Sequence, residues 1–272
     1  MKLGMMNCPG TDLIPEIHFA GRQGFDFLDL TIEPPGALSI HPVQVRDLLR
    51  KYGLGVVGHS AYYLPIQSPF PSVRKVVLQE FKTSLHLLSR VGAPNMAVHI
   101  LSRRPRFFTF DDWVDFHLSV LVDLDTAARD LGMILMLEHG PVTLDQFDLL
   151  DRLFAEIPDL RFHLDVGHAN LETSIHGTAE FLRRYHRRLA HVHFSDNYGG
   201  AADLHLPILC GTLPWEEVIP LLQGYGYDGT ITLEVFAQAR DYLLLSKRIV
   251  EKLWREPRPW GDRKEKRLYV TS

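Results

Sequence analysis

The sequence predicts an α/β protein, a single (β/α)8 TIM barrel with its active site at the C-terminal ends of the strands. Short apolar runs alternate with longer amphipathic stretches, and eight such β/α units fit within the 272 residues. The short runs are apolar at nearly every position, which is typical of parallel strands buried on both faces. A doubly wound sheet is the alternative. It normally carries a Gly-rich phosphate loop after its first strand, and MMNCPGTD at 5–12 is not such a loop.

Eight predicted strands follow one another in the chain, each rich in Val, Ile, Leu, Met or Phe. They are KLGMM (2–6), FDFLDLTI (25–32), GVVGHS (55–60), MAVHI (96–100), MILMLEH (133–139), RFHLDVGH (161–168), LAHVHFSD (189–196) and TITLEVF (230–236). Two of the intervening helices, at 73–92 and 111–132, show helical periodicity and end on Gly. The turn-forming stretch GYGYDG at 224–229 precedes the last strand.

The chain is predicted to form one domain, with the barrel at 1–260 and a charged tail without pattern at 261–272. Its two cysteines are too few for a disulfide framework and favour a reducing compartment. The N-terminal apolar run is too short for a signal peptide, and no run reaches the roughly 18 apolar residues of a membrane span. A net charge of −4 provides no general attraction for nucleic acid. We therefore expect a cytoplasmic protein that makes no membrane contact.

Imidazole and carboxylate side chains fall at the ends of the predicted third to eighth strands and in the loop after the seventh. The candidates are His59, His99, Glu138, Asp165, His168, His193, Asp203, His205 and Glu234. Because the C-terminal ends of the strands meet at one mouth of such a barrel, these side chains are expected to converge there. Several carboxylates in an apolar mouth repel one another unless cations lie between them. A ligand set without thiolates favours Zn, Mn, Co or Fe(II), and the sequence predicts a divalent metal site.

The seventh strand carries two histidines on one face, because strand residues two apart point the same way. The apolar residues that alternate with them suit the helix-facing side, so His191 and His193 are expected to point into the barrel. His163 and His191 lie deeper and are interpreted as core residues. Asp196, the last residue of the predicted seventh strand, and Asn197 after it are expected to orient His193 or to cap the loop.

Three motifs resemble those of the xylose-isomerase-like barrel superfamily. They are LDVGHAN (164–170), HVHFSDNYGG…DLHLP (191–207) and LEVF (233–236). This superfamily joins sugar and sugar-phosphate isomerases and epimerases with the endonuclease IV enzymes (AP endonuclease family 2) that cut DNA at abasic sites. The resemblance covers nearly the whole chain and implies the same barrel.

Resemblance to the ketose 3-epimerases of this superfamily implies one divalent metal, held by Glu138, Asp165, His193 and Glu234. It also implies that the two glutamates move protons on opposite faces of an enediolate and that His168 contacts the substrate. Resemblance to the endonuclease IV enzymes implies instead that all nine candidates hold three zinc ions.

The sequence departs from both groups of relatives. Leu209-Cys210-Gly211 stands where many of them carry a Gly-Glu-Gly type turn. After His99 the chain reads ILSRRPR, where the endonuclease IV enzymes have a Gly-Ser-His run in a DNA-binding loop.

Two functions follow from the resemblance, and the first is favoured by the wording of the seventh-strand motif and by the poor match of the DNA-binding loops. It is a Zn- or Mn-dependent isomerase or epimerase of a small sugar, sugar phosphate or polyol, forming a homodimer or homotetramer. Glu138 and Glu234 would exchange the proton, and Arg103 or Arg104 would hold a phosphate. The alternative is a monomeric trinuclear zinc phosphodiesterase acting on abasic-site DNA. Candidates for walls around a sugar are Tyr62, Tyr63, Trp113 and Phe236.

Overall fold

Eight parallel strands close into a barrel in sequence order, so the predicted (β/α)8 architecture is confirmed. The computed structural model describes residues 1–36, 40–100, 104 and 106–256. The predicted tail at 261–272 lies outside this part of the chain. The strands are β1 (Lys2–Met6), β2 (Phe27–Ile32), β3 (Gly55–Ser60), β4 (Asn95–Ile100), β5 (Ile134–His139), β6 (Arg161–Asp165), β7 (Leu189–Phe194) and β8 (Thr230–Leu233).

Eight helices alternate with these strands in the described residues and cover the outside of the barrel. They are α1 (Leu13–Arg22), α2 (Pro42–Tyr52), α3 (Pro71–Val91), α4 (Phe110–Asp130), α5 (Leu144–Glu156), α6 (Thr178–Tyr185), α7 (Trp215–Gly224) and α8 (Arg240–Arg255). Several helix ends carry the capping residues that are usual at such positions. Thr109 and Asp112 form a capping box at the start of α4, and Gly92 ends α3 with φ 102°, a left-handed conformation that favours glycine. Within the described residues, no helix combines the length and apolar character needed to cross a bilayer.

The sixth strand is shorter than the sequence pattern predicts, and the reason lies in a side chain. Its apolar run extends to His168, but β6 ends at Asp165. There the main-chain N–H of His168 donates to Asp165 Oδ1 at 2.7 Å, and the chain turns into a short 3-10 helix at His168–Asn170. This turn leaves both side chains at the barrel mouth.

The floor of the barrel is an apolar plug formed by Phe27, Val57, Ala97 and Met136. Gly4 makes room for it, because a Cβ atom there would lie 2.3 Å from the Phe27 ring. Above the plug, the inward-facing positions of the same strands become polar. The lower barrel is therefore solid, and the polar groups rest on it rather than around a pore.

Candidate metal centre

Four side chains meet inside the mouth, at the ends of neighbouring strands. They are Glu138 on β5, Asp165 on β6, His193 on β7 and Glu234 immediately after β8, and they are called the buried quartet below. One ligand atom from each lies within 4.8 Å of the others. His193 Nδ1 is 3.0 Å from Glu234 Oε2, 3.6 Å from Glu138 Oε1 and 3.8 Å from Asp165 Oδ2. Three carboxylates thus surround one imidazole.

The strand register explains why these residues meet. Asp165 and His193 are direct partners across β6 and β7. Glu234 lies one residue beyond β8, where its N–H donates to the carbonyl of Phe194 at 3.1 Å and extends the pairing with β7. Glu138 pairs with His163 on β6 and shares the inward face of β5 with Met136 of the plug. The quartet therefore sits on regular, hydrogen-bonded backbone.

The buried quartet fits a divalent cation. Among the described residues, Glu138 Oε1 and Asp165 Oδ2 have no hydrogen-bond partner, although both are buried and face His193 Nδ1. A buried carboxylate oxygen without a partner is costly. Burial raises the pKa of Asp165 to about 7, with the nearby Glu234 and Glu138 carboxylates adding to this effect. Imidazole with carboxylates is a donor set that suits Zn²⁺ or Mn²⁺.

Two further candidates, His59 and His99, share the other oxygen of Glu138, and His163 Nδ1 lies 3.2 Å from the same atom. His59 Nε2 and His99 Nε2 each lie 2.9 Å from Glu138 Oε2, and they are 3.2 Å from one another. Burial raises the pKa of the Glu138 carboxyl, but the imidazoles of His163, His99, His193 and His59 outweigh it and hold that pKa well below its usual range. Glu138 is therefore ionised. His59, His99 and Glu138 form a second group with the spacing of metal ligands.

The remaining three candidates, His168, Asp203 and His205, lie at the outer edge of the buried quartet and are called the rim triad below. His168 Nδ1 is 3.7 Å from Glu138 Oε1 and from Asp165 Oδ2, and His205 Nδ1 is 3.6 Å from Glu234 Oε2. Asp203 Oδ2 is 3.0 Å from His168 Nε2 and 3.1 Å from His205 Nε2. Burial lowers the pKa of His205, but the Glu234 and Asp203 carboxylates raise it to about 9. His205 has φ 45°, a left-handed conformation that is strained for a residue other than glycine. Asp203 and His205 thus lie on an irregular loop, and the triad balances its carboxylate with its own imidazoles.

A cavity of about 570 Å³ opens above these groups, a volume suited to a small molecule. Its polar wall includes Glu33 and members of the rim triad, and Glu234 reaches it from the buried quartet. The lining residues are Met6, Pro9, Glu33, His59, Tyr62, His99, Ile100, Gly140, Pro141, His168, Leu171, Ala201, Asp203, His205, Glu234 and Phe236. Polar groups that converge on one side of a partly apolar cavity can orient a hydroxylated ligand.

Only some of the predicted substrate contacts line the cavity. Tyr62, Phe236 and His168 line the cavity. Arg104 does not; its guanidinium contacts Asp145 Oδ2 at 3.4 Å and the carbonyl of Phe108 at 2.5 Å. Arg103 lies outside the described residues.

Trp113 is wrong as a wall of the sugar site. It is fully buried in α4, where its ring packs edge-on against Phe110 and His117. Trp113 is buried because it lies on the face of α4 that packs against the barrel. Tyr63 is half-exposed, contacts Tyr62 edge-to-face and is not among the cavity residues.

Asp29 is the site residue that the sequence analysis missed. It lies in the middle of β2, fully buried, and its Oδ2 accepts hydrogen bonds from His191, His193 and Thr232. A lone carboxylate inside an apolar strand was the available signal, because a charge is rarely buried without partners. His163 and His191 are fully buried in the barrel, and with His193 they form a further group with the spacing of metal ligands.

Asp196 caps the loop after β7 rather than orienting His193. Its carboxylate accepts from the main-chain N–H groups of Asn197, Leu209 and Leu213 and from the indole of Trp215. At the departure from the Gly-Glu-Gly type turn, Leu209 takes a left-handed conformation with φ 70°. At this turn a leucine therefore adopts a backbone conformation that usually favours glycine.

A closed (β/α)8 barrel with imidazoles and carboxylates gathered at its C-terminal mouth defines a class of TIM barrels with a candidate metal centre. Within that class, residues 17–261 match the family model described as xylose isomerase-like TIM barrel. The chain belongs to this family, as the motifs predicted.

Three individual proteins show what this chain is similar to. The uncharacterised protein MJ1311 of Methanocaldococcus jannaschii is 26% identical over 223 residues, which cover 78% of this chain and 75% of that protein. A crystal structure of a D-tagatose 3-epimerase-like protein superposes with a TM-score of 0.80 at 24% identity, covering 94% of this chain and 99% of that one. The IOLI protein, solved with a zinc atom, superposes with a TM-score of 0.79 at 13% identity, covering 95% and 99%. At these identities the superpositions show a shared fold.

Proposed function

We propose that this chain is a divalent-metal-dependent isomerase or epimerase of a small sugar, sugar phosphate or polyol, acting by proton transfer through an enediolate. One observation carries the proposal: two glutamates, Glu138 and Glu234, converge with Asp165 and His193 beside a cavity sized for a sugar. The names of the structural neighbours, among them the D-tagatose 3-epimerase-like protein and the zinc-containing IOLI protein, support the same chemistry.

The buried quartet is the proposed metal site, with Zn²⁺ or Mn²⁺ as the ion. Glu138, Asp165, His193 and Glu234 would hold the ion, each with one ligand atom. When bound, such an ion stabilises the negative charge that develops on the oxygens of a reacting carbonyl compound. The orphaned carboxylate oxygens support this assignment, because a cation is the partner that both lack within the described residues.

The two glutamates are the proposed acid and base. They enter from β5 and from the end of β8, which are separated in the barrel by β6 and β7. Burial raises the pKa of Glu234, but His205 and His193 outweigh it and lower that pKa, so the carboxylate can accept a proton. One glutamate removes the proton beside the carbonyl and the other returns it. Glu234 touches the cavity, which gives it direct access to the substrate.

The cavity walls are the proposed sugar contacts. His168 and His205 offer imidazole N–H groups to hydroxyls, and the rings of Tyr62 and Phe236 pack against the carbon skeleton. Either Arg103 or Arg104 remains the proposed contact for a substrate phosphate. For Arg104 the phosphate has to compete with Asp145, which already accepts from its guanidinium.

A trinuclear phosphodiesterase is the second candidate, and a specific observation supports it. His59, His99 and Glu138 form a further group with ligand spacing, and the rim triad places three more candidates at the same mouth. Two or three ions bound there would activate a water molecule and neutralise a phosphodiester.

Product analysis separates the two functions. The metal-loaded protein is incubated in parallel with a panel of ketoses and ketose phosphates, analysed by chromatography, and with a DNA duplex that contains one abasic site. We expect a new sugar and no nicking, with the conversion lost in Glu234→Gln. Nicking that disappears in Glu234→Gln would establish the phosphodiesterase and contradict the proposal.

A further inference from the structure

A second polar layer lies directly beneath the buried quartet, and the proton transfer does not use it. Asp29 of β2 reaches across the barrel interior, where its Oδ2 is 2.9 Å from His193 Nε2, 3.1 Å from His191 Nε2 and 2.7 Å from Thr232 Oγ1. All four residues are fully buried or nearly so. The layer separates the quartet from the apolar plug.

His193 faces carboxylates with both ring nitrogens. Nδ1 points to the oxygens of the buried quartet, and Nε2 points to Asp29. A neutral imidazole carries one N–H, so a donor at Nε2 leaves a lone pair at Nδ1. That lone pair is directed at the position where the quartet would hold a cation. The opposite tautomer would place its lone pair against Asp29 and its N–H where the cation belongs.

Asp29 is itself held in place. Thr232 donates to it and is the direct strand partner of His193, while Thr230 is the partner of His191 and lies 2.7 Å from His191 Nδ1. With Thr230 donating to Nδ1, His191 is left to donate from Nε2, which faces both Asp29 Oδ2 at 3.1 Å and Thr232 Oγ1 at 3.0 Å. The side chains around Asp29 Oδ2 therefore come from β7 and β8. The position of the Asp29 carboxylate does not depend on a flexible side chain.

We propose that Asp29 is a positioning residue that fixes His193 in its Nε2–H tautomer and so presents Nδ1 as a metal ligand. This inference rests on the metal-binding role proposed for the buried quartet. A carboxylate behind a ligating histidine orients the ring and makes its other nitrogen a better donor, and loss of such a group typically weakens metal binding by about 10- to 100-fold. Asp29 is not among the residues that line the cavity, so it reaches the proposed metal site through the His193 imidazole that it contacts.

The test compares Asp29→Asn with Asp26→Asn in the full-length protein. Asp26, three residues earlier, accepts a hydrogen bond from the main-chain N–H of Leu3 at the opposite end of the barrel. Zinc affinity is measured by competition with a chromophoric chelator, and thermal unfolding reports the fold. We expect Asp29→Asn to bind zinc about 10- to 100-fold more weakly, and Asp26→Asn to bind it as the wild type does. Equal affinities of Asp29→Asn and wild type would overturn the inference.

A second measurement needs no variant. In zinc-loaded wild-type protein with ¹⁵N-labelled histidine, long-range ¹H–¹⁵N spectra identify which nitrogen of His193 carries the proton. We expect a proton on Nε2. A proton on Nδ1 would overturn the inference even if Asp29→Asn failed to fold. Zinc binding by the wild type without an Asp29→Asn effect refutes the positioning role alone, whereas a wild type that binds no zinc refutes the quartet's proposed role as well.

Discussion

The buried quartet and the rim triad are built from the same side-chain types but balance their charges in opposite ways. The quartet combines three carboxylates with one imidazole, and the triad combines one carboxylate with two imidazoles. Within the described residues, carboxylate oxygens of the quartet lack partners, while Asp203 bridges His168 and His205. The quartet therefore carries more negative charge than its own imidazole balances, even with His168 and His205 beside it, whereas the triad balances its single carboxylate with its own imidazoles.

The backbone under the two groups differs in the same sense. Three of the quartet residues lie in strands and the fourth continues the ladder of β8, whereas Asp203 and His205 lie on a loop. Two residues of that loop, His205 and Leu209, are in left-handed conformations. A fixed, under-neutralised cluster is suited to holding an ion, and a strained loop with its own cations is suited to contacting a substrate.

The largest difference between the two regions is expected in catalysis. Replacing Glu234 by Gln keeps its shape but removes the group that exchanges the proton, so turnover should fall by about 10²- to 10⁴-fold. His205→Gln in the rim triad should lower turnover by about tenfold or less, because it removes a substrate contact rather than the base. Steady-state kinetics on the substrate found in the panel, with metal content measured alongside, tests this order. Equal losses would remove the distinction.

The second-largest difference between the buried quartet and the rim triad is expected in zinc affinity. Asp165→Asn removes a carboxylate that points at the proposed ion and should weaken zinc binding by more than about 100-fold. Asp203→Asn is the matched substitution in the rim triad and should change it by less than about tenfold. Chelator competition gives both affinities, and elemental analysis gives the number of ions. A loss of two or more ions in Asp203→Asn would favour the trinuclear alternative.

The pH dependence of metal binding sharpens the comparison further. In the metal-free protein, burial raises the pKa of Asp165 to about 7. Burial lowers the pKa of His193, but Glu138 and Glu234 outweigh it and raise the pKa well above its usual value. An ion must displace these protons, so affinity should rise with pH, by about tenfold per unit for each proton released. Calorimetry in two buffers of different ionisation enthalpy counts the protons. Affinity that stays constant below neutral pH would contradict the assignment.

The smallest effect is expected from backbone strain near the rim. Leu209 has φ 70° and is 57% exposed, so Leu209→Gly should relieve left-handed strain with little lost packing. We expect a gain of up to about 1 kcal/mol in the free energy of unfolding. Leu204, exposed in the same loop without a positive φ, is the control, and Leu204→Gly should destabilise by roughly 0.5–1 kcal/mol. Denaturant unfolding measures both. A loss of stability in Leu209→Gly would show that this residue is not strained.

Much of the barrel could be predicted because buried parallel strands leave a simple trace, a short run of apolar residues repeated along the chain. The candidate ligands followed from topology, since the ends of all strands share one mouth. Strand ends were less predictable. The end of β6 depends on a bond between the Asp165 side chain and the His168 main chain, which hydrophobicity does not record.

The sequence also could not predict how the candidate ligands divide into groups. Which candidates face one another depends on strand register and on angles across the barrel. The sequence therefore does not show that the nine candidate ligands divide into the buried quartet, the pair His59 and His99, and the rim triad. Asp29 was missed because a carboxylate in the run FLDLTI has no neighbour in sequence that explains it. Its partners His191 and Thr232 follow 162 and 203 residues later in the chain. The prediction for Trp113 was wrong because an aromatic residue near the start of a helix can equally pack into the core, as Trp113 of α4 does.

Deuterium exchange tests the central claim most directly, namely that the buried quartet supports proton transfer at a carbon beside a carbonyl. The metal-loaded protein is incubated in D₂O with ketoses and ketose phosphates, and proton NMR follows the hydrogen at that carbon. Because one glutamate removes the proton and the other returns one equilibrated with solvent, the account predicts that deuterium enters this position as product forms, and that Glu234→Gln abolishes both. Product formed without deuterium, or protein that holds its metal and nicks abasic DNA but exchanges no sugar hydrogen, would contradict it.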